Sequence, residues 1–98
     1  MNTTSTKLPP AVSGQCAQVL AVLRERPSVL SFELTAGLAI PEAAARIHDL
    51  RGKGFNIITI IEPQIAFRGQ VRRKVARYVL GAPEWPSPGF FGAEGGEA

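Results

Sequence analysis

The stretch that decides the fold is residues 31–80, which read SFELTAGLAIPEAAARIHDLRGKGFNIITIIEPQIAFRGQVRRKVARYVL. Two short helical patterns lie on either side of a turn that begins at Gly37 and ends at Pro41. Two runs rich in β-branched and aromatic residues follow, and the segment that joins them contains Gly69. The predicted order of elements is therefore helix, turn, helix and β-hairpin.

The helices are predicted from apolar spacing and from residues that begin or end helices. A first helical pattern covers about residues 13–26 and stops before a proline, because the residue before proline avoids the helical conformation. A second helix over residues 31–36 is followed by Gly37, which suits the left-handed conformation at a helix end. A third helix covers residues 41–52 and begins with a proline, whose missing N–H would be unpaired there anyway.

The third helix has one apolar side and one mainly polar side. At about 100° per residue, Ala43, Ile47 and Leu50 share the side that is predicted to face the core. The opposite side, together with the flanking Arg46 and the following Lys53, is the candidate contact surface. This outer set consists of Glu42, Ala45, Arg46, His48, Asp49 and Lys53.

The hairpin is predicted from two apolar runs and a basic segment between them. Residues 55–62 are dense in isoleucine, which is typical of a buried strand, and residues 71–80 form the second strand. Residues 63–70 are interpreted as a hairpin loop of several residues, opened by a proline and bent at a glycine. Residues 28–30 are too few for a helix and predict a short strand that joins the hairpin.

The charge distribution predicts a polyanionic partner. Residues 1–82 hold all eleven Lys and Arg against five acids, a net charge of +6, whereas residues 83–98 hold three acids and no base. The basic side chains are densest in residues 68–77, which contain no acid. Strand alternation prevents all of them from pointing one way, but long side chains near the hairpin tip can bend toward a phosphate backbone. The set predicted to contact phosphates is Arg68, Gln70, Arg72, Arg73 and Lys74.

Two segments of the chain carry a resemblance to a known family. They are residues 44–54, Ala-Ala-Arg-Ile-His-Asp-Leu-Arg-Gly-Lys-Gly, and residues 77–80, Arg-Tyr-Val-Leu. About residues 14–81 resemble the small winged helix-turn-helix domains that are common among bacteriophage and prophage proteins. The resemblance implies an α+β fold with three helices, a short strand and a C-terminal β-hairpin wing. It also implies that the third helix enters the major groove of double-stranded DNA while the wing contacts phosphates.

The two arginines of the third helix have different expected roles. Arg46 is predicted to contact a guanine edge or a phosphate, since its guanidinium fits either, and the other reading is an ion pair with Glu42. Arg51 borders the apolar side, so we expect it to lie over the hairpin or to bond carbonyls at the helix end. His48 has no Cys or His partners at ligand spacing, which leaves groove contact or plain exposure.

Two functions are consistent with these features. The first is a transcriptional regulator or phage accessory factor that binds double-stranded DNA, with a homodimer as one way to read paired half-sites. The alternative is a winged-helix module for protein–protein interaction, since Glu42 and Asp49 place acids on the outer side of the third helix. Trp85, Phe90 and Phe91 either fold back on the domain or dock on a partner protein.

The sequence also bears on catalysis, on cellular location and on the division of the chain into segments. One His, one Cys and no glycine-rich loop between strand and helix give no catalytic constellation, so no enzyme, cofactor or metal site is predicted. A polar start and a single cysteine, Cys16, favour the cytoplasm. The predicted organisation is a disordered leader over residues 1–12, a domain over residues 13–81 and a flexible acidic and aromatic tail over residues 82–98.

Overall fold

The computed structural model describes residues 8–90. Two longer helices and a short π-helix are followed by a long β-hairpin, and a short strand completes an antiparallel sheet in the order β1-β3-β2. The elements are α1 (Gly14–Glu25), β1 (Val29–Leu30), the π-helix α2 (Glu33–Gly37), α3 (Ala43–Gly52), β2 (Ile57–Phe67) and β3 (Gln70–Leu80). The predicted α+β winged helix-turn-helix fold is confirmed, with β2 and β3 as its wing.

One apolar core joins the helices to the sheet. Helix α1 contributes Val19, Leu20 and Leu23, which repeat on one side of the helix and are at most 3% exposed. The other helices, the loops between them and all three strands supply Val29, Leu34, Ile40, Ala43, Ile47, Leu50, Phe55, Ile57 and Tyr78. Full burial of one such aliphatic side chain contributes about 1.5 to 3 kcal/mol, so this core carries most of the stability of the fold.

The short helix α2 is wound more widely than predicted. The N–H of Leu38 donates to the carbonyl of Glu33, five residues earlier, at 3.0 Å, and residues 31–32 lead into the helix in helical conformation. The left-handed residue predicted at Gly37 lies instead at Ala39, with a φ of 55°. The wide turn thus carries the chain past the glycine before it reverses toward Ile40, which enters the core.

Helix α3 begins at Ala43 rather than at residue 41. Glu42, at the N-cap, has a left-handed backbone with a φ of 52°, which ends the helix on that side. The predicted core side is confirmed, because Ala43, Ile47 and Leu50 are at most 2% exposed. The other sides of the helix therefore remain available for the outer set of polar residues.

The hairpin is longer than predicted and its turn is tighter. Strand β2 continues through Pro63 as far as Phe67, so the predicted loop over residues 63–70 is wrong. Only Arg68 and Gly69 form the turn, and both have positive φ, 52° and 76°, which is the geometry of a two-residue type I′ turn. The tight turn lets strand pairing extend to Phe67 and Gln70 at the tip.

Pro63 is tolerated because β2 is the edge strand of the sheet. The pairing of β2 with β3 skips Pro63 and the opposite residue Lys74, whose φ is 56°, so the missing N–H falls at a local interruption of the strand pairing.

Residues 83–90 lie against the domain, which differs from the flexible tail predicted over residues 82–98. The Asn56 N–H donates to the Glu84 carbonyl at 2.8 Å, and the Ser87 N–H donates to the Gly54 carbonyl at 2.7 Å. The indole N–H of Trp85 donates to the Lys53 carbonyl at 2.9 Å, and its ring packs against the core. The rest of the predicted tail, with Phe91, lies outside the described residues, as do residues 1–7 of the predicted leader.

A glycine and an ion pair fix the position of this segment. Gly54 has a φ of 99°, and a Cβ on it would lie 2.8 Å from the Trp85 indole nitrogen and from the Phe90 ring. Glu84 meets Arg24 of helix α1 at 2.5 Å, and this hydrogen bond raises the pKa of Arg24 above its usual value. Residues 83–90 therefore tie the end of α3 to the end of α1.

Candidate nucleic-acid interface

A groove separates the wing from helices α2 and α3. Its wing side carries three consecutive basic residues of β3, and its helix side carries small or polar residues from the starts of α2 and α3. Buried side chains close its base. The lining residues are Ser31, Phe32, Thr35, Glu42, Ala43, Ala44, Arg72, Arg73, Lys74 and Val75. The groove brings three of the predicted wing contacts, Arg72, Arg73 and Lys74, next to the start of the predicted recognition helix. Arg68 lies instead beside the end of α2, with Gly37 and Leu38.

The basic side chains of the wing tip form no ion pair with an acid within residues 8–90. Three arginines elsewhere are paired with acids: Arg24 with Glu84, Arg46 with Asp49 and Arg77 with Glu62. None of these pairs involves the wing cations, which are Arg68, Arg72, Arg73 and Lys74. Cations held close together without acidic partners create a positive potential that attracts phosphate groups.

Arg77 belongs to the basic segment in sequence but has a structural role. Its Nε lies 2.7 Å from a carboxylate oxygen of Glu62, and its Nη1 donates to the hydroxyl of Ser28 at 2.9 Å. These contacts join the segment before β1 to both strands of the wing. The positive surface is therefore concentrated toward the wing tip.

The outer set of α3 is divided between two places. Glu42 lies in the wing groove with the basic residues of β3. His48, Asp49 and Lys53 line a different groove, next to residues 11–13 at the start of α1. Ala45 is half-buried and lines neither groove. At the wing tip, Gln70 is exposed and pairs with Phe67 across the turn.

Arg46 is paired within its own helix. Its Nη2 lies 2.9 Å from a carboxylate oxygen of Asp49, one turn later, rather than next to Glu42. Its Nε is buried and has no hydrogen-bond partner among the residues described. A contact from Arg46 to a guanine therefore has to compete with an existing ion pair.

Arg51 holds α3 against the edge of the sheet, as expected. Its Nε and Nη2 donate to the carbonyl of Ile57 at 3.0 and 2.7 Å, and Nη2 also donates to the hydroxyl of Thr59. These bonds satisfy backbone and side-chain acceptors of strand β2. Helix and wing are thereby coupled in position.

Sequence reasoning missed an aromatic contact that fixes the wing tip. The ring centroids of Phe32 and Phe67 are 4.1 Å apart, with the planes tilted by 36°. The guanidinium carbon of Arg68 lies 4.9 Å from the Phe67 centroid. The alternation of Ile65 and Phe67 carried this signal, but it is visible only once the strand is extended through Pro63.

Neither a metal-binding cluster nor a membrane-spanning helix is found among residues 8–90. Across residues 8–90, no group of three or more His, Cys, Asp and Glu side chains is placed to hold a metal. In the same part of the chain, every helix is too short or too polar to cross a bilayer.

The fold and the groove define a winged-helix domain, a class whose members generally bind DNA. Comparison with protein families agrees: the model described as Winged helix-turn-helix domain matches residues 14–83. This chain belongs to the winged helix-turn-helix domain family, so the winged helix-turn-helix resemblance stated from the sequence is confirmed. No curated protein and no solved structure matches the chain significantly.

Proposed function

We propose that this chain binds double-stranded DNA, either as a regulator of transcription or as an accessory factor of a phage or prophage. In this role the protein acts in the cytoplasm and binds its partner rather than catalysing a reaction. The observation that carries the proposal is the set of four wing cations, which form no ion pair within residues 8–90. Three of them, Arg72, Arg73 and Lys74, line the groove beside the start of α3. This arrangement suits phosphate contacts that position a helix in the adjacent major groove.

The chemistry of α3 suggests how the bases would be contacted. Ala45 offers a methyl group that suits the thymine methyl, and the exposed His48 can hydrogen-bond a base edge. Glu42 can accept from the amino group of cytosine. Few polar groups in the outer set of α3 are available to contact bases, because Arg46 and Asp49 pair with each other. Phosphate contacts therefore supply most of the affinity. Lys53, exposed at the end of α3, adds one such contact.

Titration of a labelled random-sequence duplex tests the proposal directly. At about 50 mM salt we expect micromolar or weaker binding, because the contacts are mainly to phosphates. Four wing cations and Lys53 on five phosphates predict a log–log salt slope of roughly −4 to −5. Absence of any binding up to tens of micromolar protein at this salt concentration would refute DNA binding by this surface.

Arg46 is expected to contribute to discrimination rather than to general affinity. If Arg46 leaves Asp49 to contact a guanine, Arg46→Ala should reduce the preference for a selected site over random DNA by roughly 1 to 3 kcal/mol. The measurement is competition between the selected and random duplexes at fixed salt. Equal losses on both duplexes would contradict a base contact.

A double variant separates base contact from charge neutralisation. Arg46→Ala alone also leaves the carboxylate of Asp49 without its partner, 2.9 Å away in the native chain. If Arg46 only neutralises Asp49, the double variant Arg46→Ala/Asp49→Ala should recover native binding. If Arg46 contacts a base, the double variant should keep the loss of discrimination.

The exposed apolar residues of β2 favour the alternative of a protein-interaction module. Ile58 and Ile60, on the same face of the edge strand, are 46% and 44% exposed, and Ile61 on the opposite face is 57% exposed. Such a strip suits a protein partner or a second copy of the chain. Analytical ultracentrifugation of the native chain and of Ile60→Ser tests the homodimer, since a dimer through this strip should dissociate in the variant.

A further inference from the structure

The wing tip is held by an aromatic cluster rather than projecting freely. Phe32, next to helix α2, is only 9% exposed, and Phe67 of β2 lies against it with 4.1 Å between ring centroids. The guanidinium carbon of Arg72 lies 5.8 Å from the Phe32 centroid and 5.9 Å from the Phe67 centroid. That of Arg68 lies 4.9 Å from the Phe67 centroid. Two of the four wing cations therefore lie next to the same pair of rings.

Strand pairing alone gives the tip little support. Strand β1 pairs only with Tyr78 and Arg77, so the wing beyond these residues has no third strand in the sheet. A two-stranded ribbon is marginally stable without packing on one side. The contact between Phe32 and Phe67 supplies that packing at the far end, next to the turn.

Packing on an aromatic ring positions an arginine without consuming its hydrogen bonds. The ring attracts the face of the guanidinium, whereas the N–H groups lie in its plane and remain available to a phosphate. An arginine held in this way loses less conformational entropy when it binds a phosphate. A larger share of the interaction free energy of each contact therefore contributes to the binding affinity.

We propose that Phe32 and Phe67 are positioning residues for phosphate binding, which they promote by holding Arg68 and Arg72 at the wing tip. This inference rests on the proposed function, because the ligand is the phosphate backbone of duplex DNA. It assigns to two uncharged side chains a share of the electrostatic affinity.

The test is the salt dependence of an uncharged variant. Phe67→Ala should weaken binding to a random duplex roughly tenfold at about 100 mM salt and make the log–log slope shallower by about one to two. Val71→Ala is the matched control, since Val71 is an apolar wing residue that is 58% exposed and outside the aromatic cluster. Its slope and affinity should equal those of the native chain.

The slope separates positioning from loss of folded protein. A preparation that is partly unfolded binds with lower apparent affinity but with the native slope, whereas loss of phosphate contacts changes the slope itself. Phe67→Tyr keeps the ring and should restore both values. Hydrogen exchange of the free protein should show faster exchange around residues 65–72 in Phe67→Ala but not in Val71→Ala.

Two results would overturn the inference in distinguishable ways. If the native chain binds the duplex and Phe67→Ala keeps the native slope, the positioning role is refuted while DNA binding stands. If the native chain binds no duplex at all, the proposed function fails and the inference fails with it.

Discussion

Deletion of residues 83–98 should lower the melting temperature by roughly 10 °C or more, because about 2 to 3 kcal/mol are lost and each kcal/mol shifts a domain of this size by about 4 to 8 °C. The loss arises mainly at Trp85, whose ring packs against the core and whose N–H bonds the Lys53 carbonyl at 2.9 Å. Deletion also removes the backbone bond from Asn56 to Glu84 and the ion pair with Arg24. Thermal unfolding followed by circular dichroism measures the shift.

Point variants show whether the indole is responsible. Trp85→Ala in the full chain should reproduce most of the decrease, whereas Pro88→Ala, at an exposed position in the same segment, should leave the melting temperature nearly unchanged. Equal melting of the truncated and full chains would show that the stable domain ends before residue 83, as the composition of the tail predicts.

The core and the order of elements were predictable because they follow from apolar spacing. Val19, Leu20 and Leu23 repeat as one side of a helix must, and Ile47 and Leu50 do so on α3. The spacing of apolar residues shows which side of a helix or strand is buried, and it does so independently of which other element packs against that side. Burial of these sides therefore agrees with the sequence analysis, and differences concentrate at element ends.

The wing and the segment after it were predicted less well because their structure depends on distant partners. Pro63 is compatible with a strand at a sheet edge where the pairing is interrupted, and neither strand order nor such an interruption is visible in local sequence. Trp85 lies in a segment rich in proline and glycine, whose composition indicates disorder. Its binding place exists only because Gly54 leaves room for the indole.

The acidic partner of Arg46 on α3 could not be predicted from residue spacing alone. Spacing allows Arg46 to pair with Glu42 before it or with Asp49 after it. The left-handed backbone of Glu42, with a φ of 52°, removes that residue from the helix and from the helical geometry of the pair. Asp49 stays in the helix and takes the guanidinium at 2.9 Å.

The largest loss of DNA binding should follow replacement of Arg72, Arg73 and Lys74 with alanine. Each phosphate contact contributes a factor of roughly eight at about 0.1 M salt, so losing three should weaken binding about a hundredfold or more and make the log–log slope shallower by about three. Fluorescence anisotropy of a labelled random duplex at several salt concentrations measures both values.

Arg73→Ala and Arg24→Ala form a matched pair, because each removes one positive charge but only Arg73 lines the groove. Arg24 is paired with Glu84, so its removal should leave the slope unchanged. A triple variant with the native slope would place the phosphate contacts elsewhere and remove the wing from the interface.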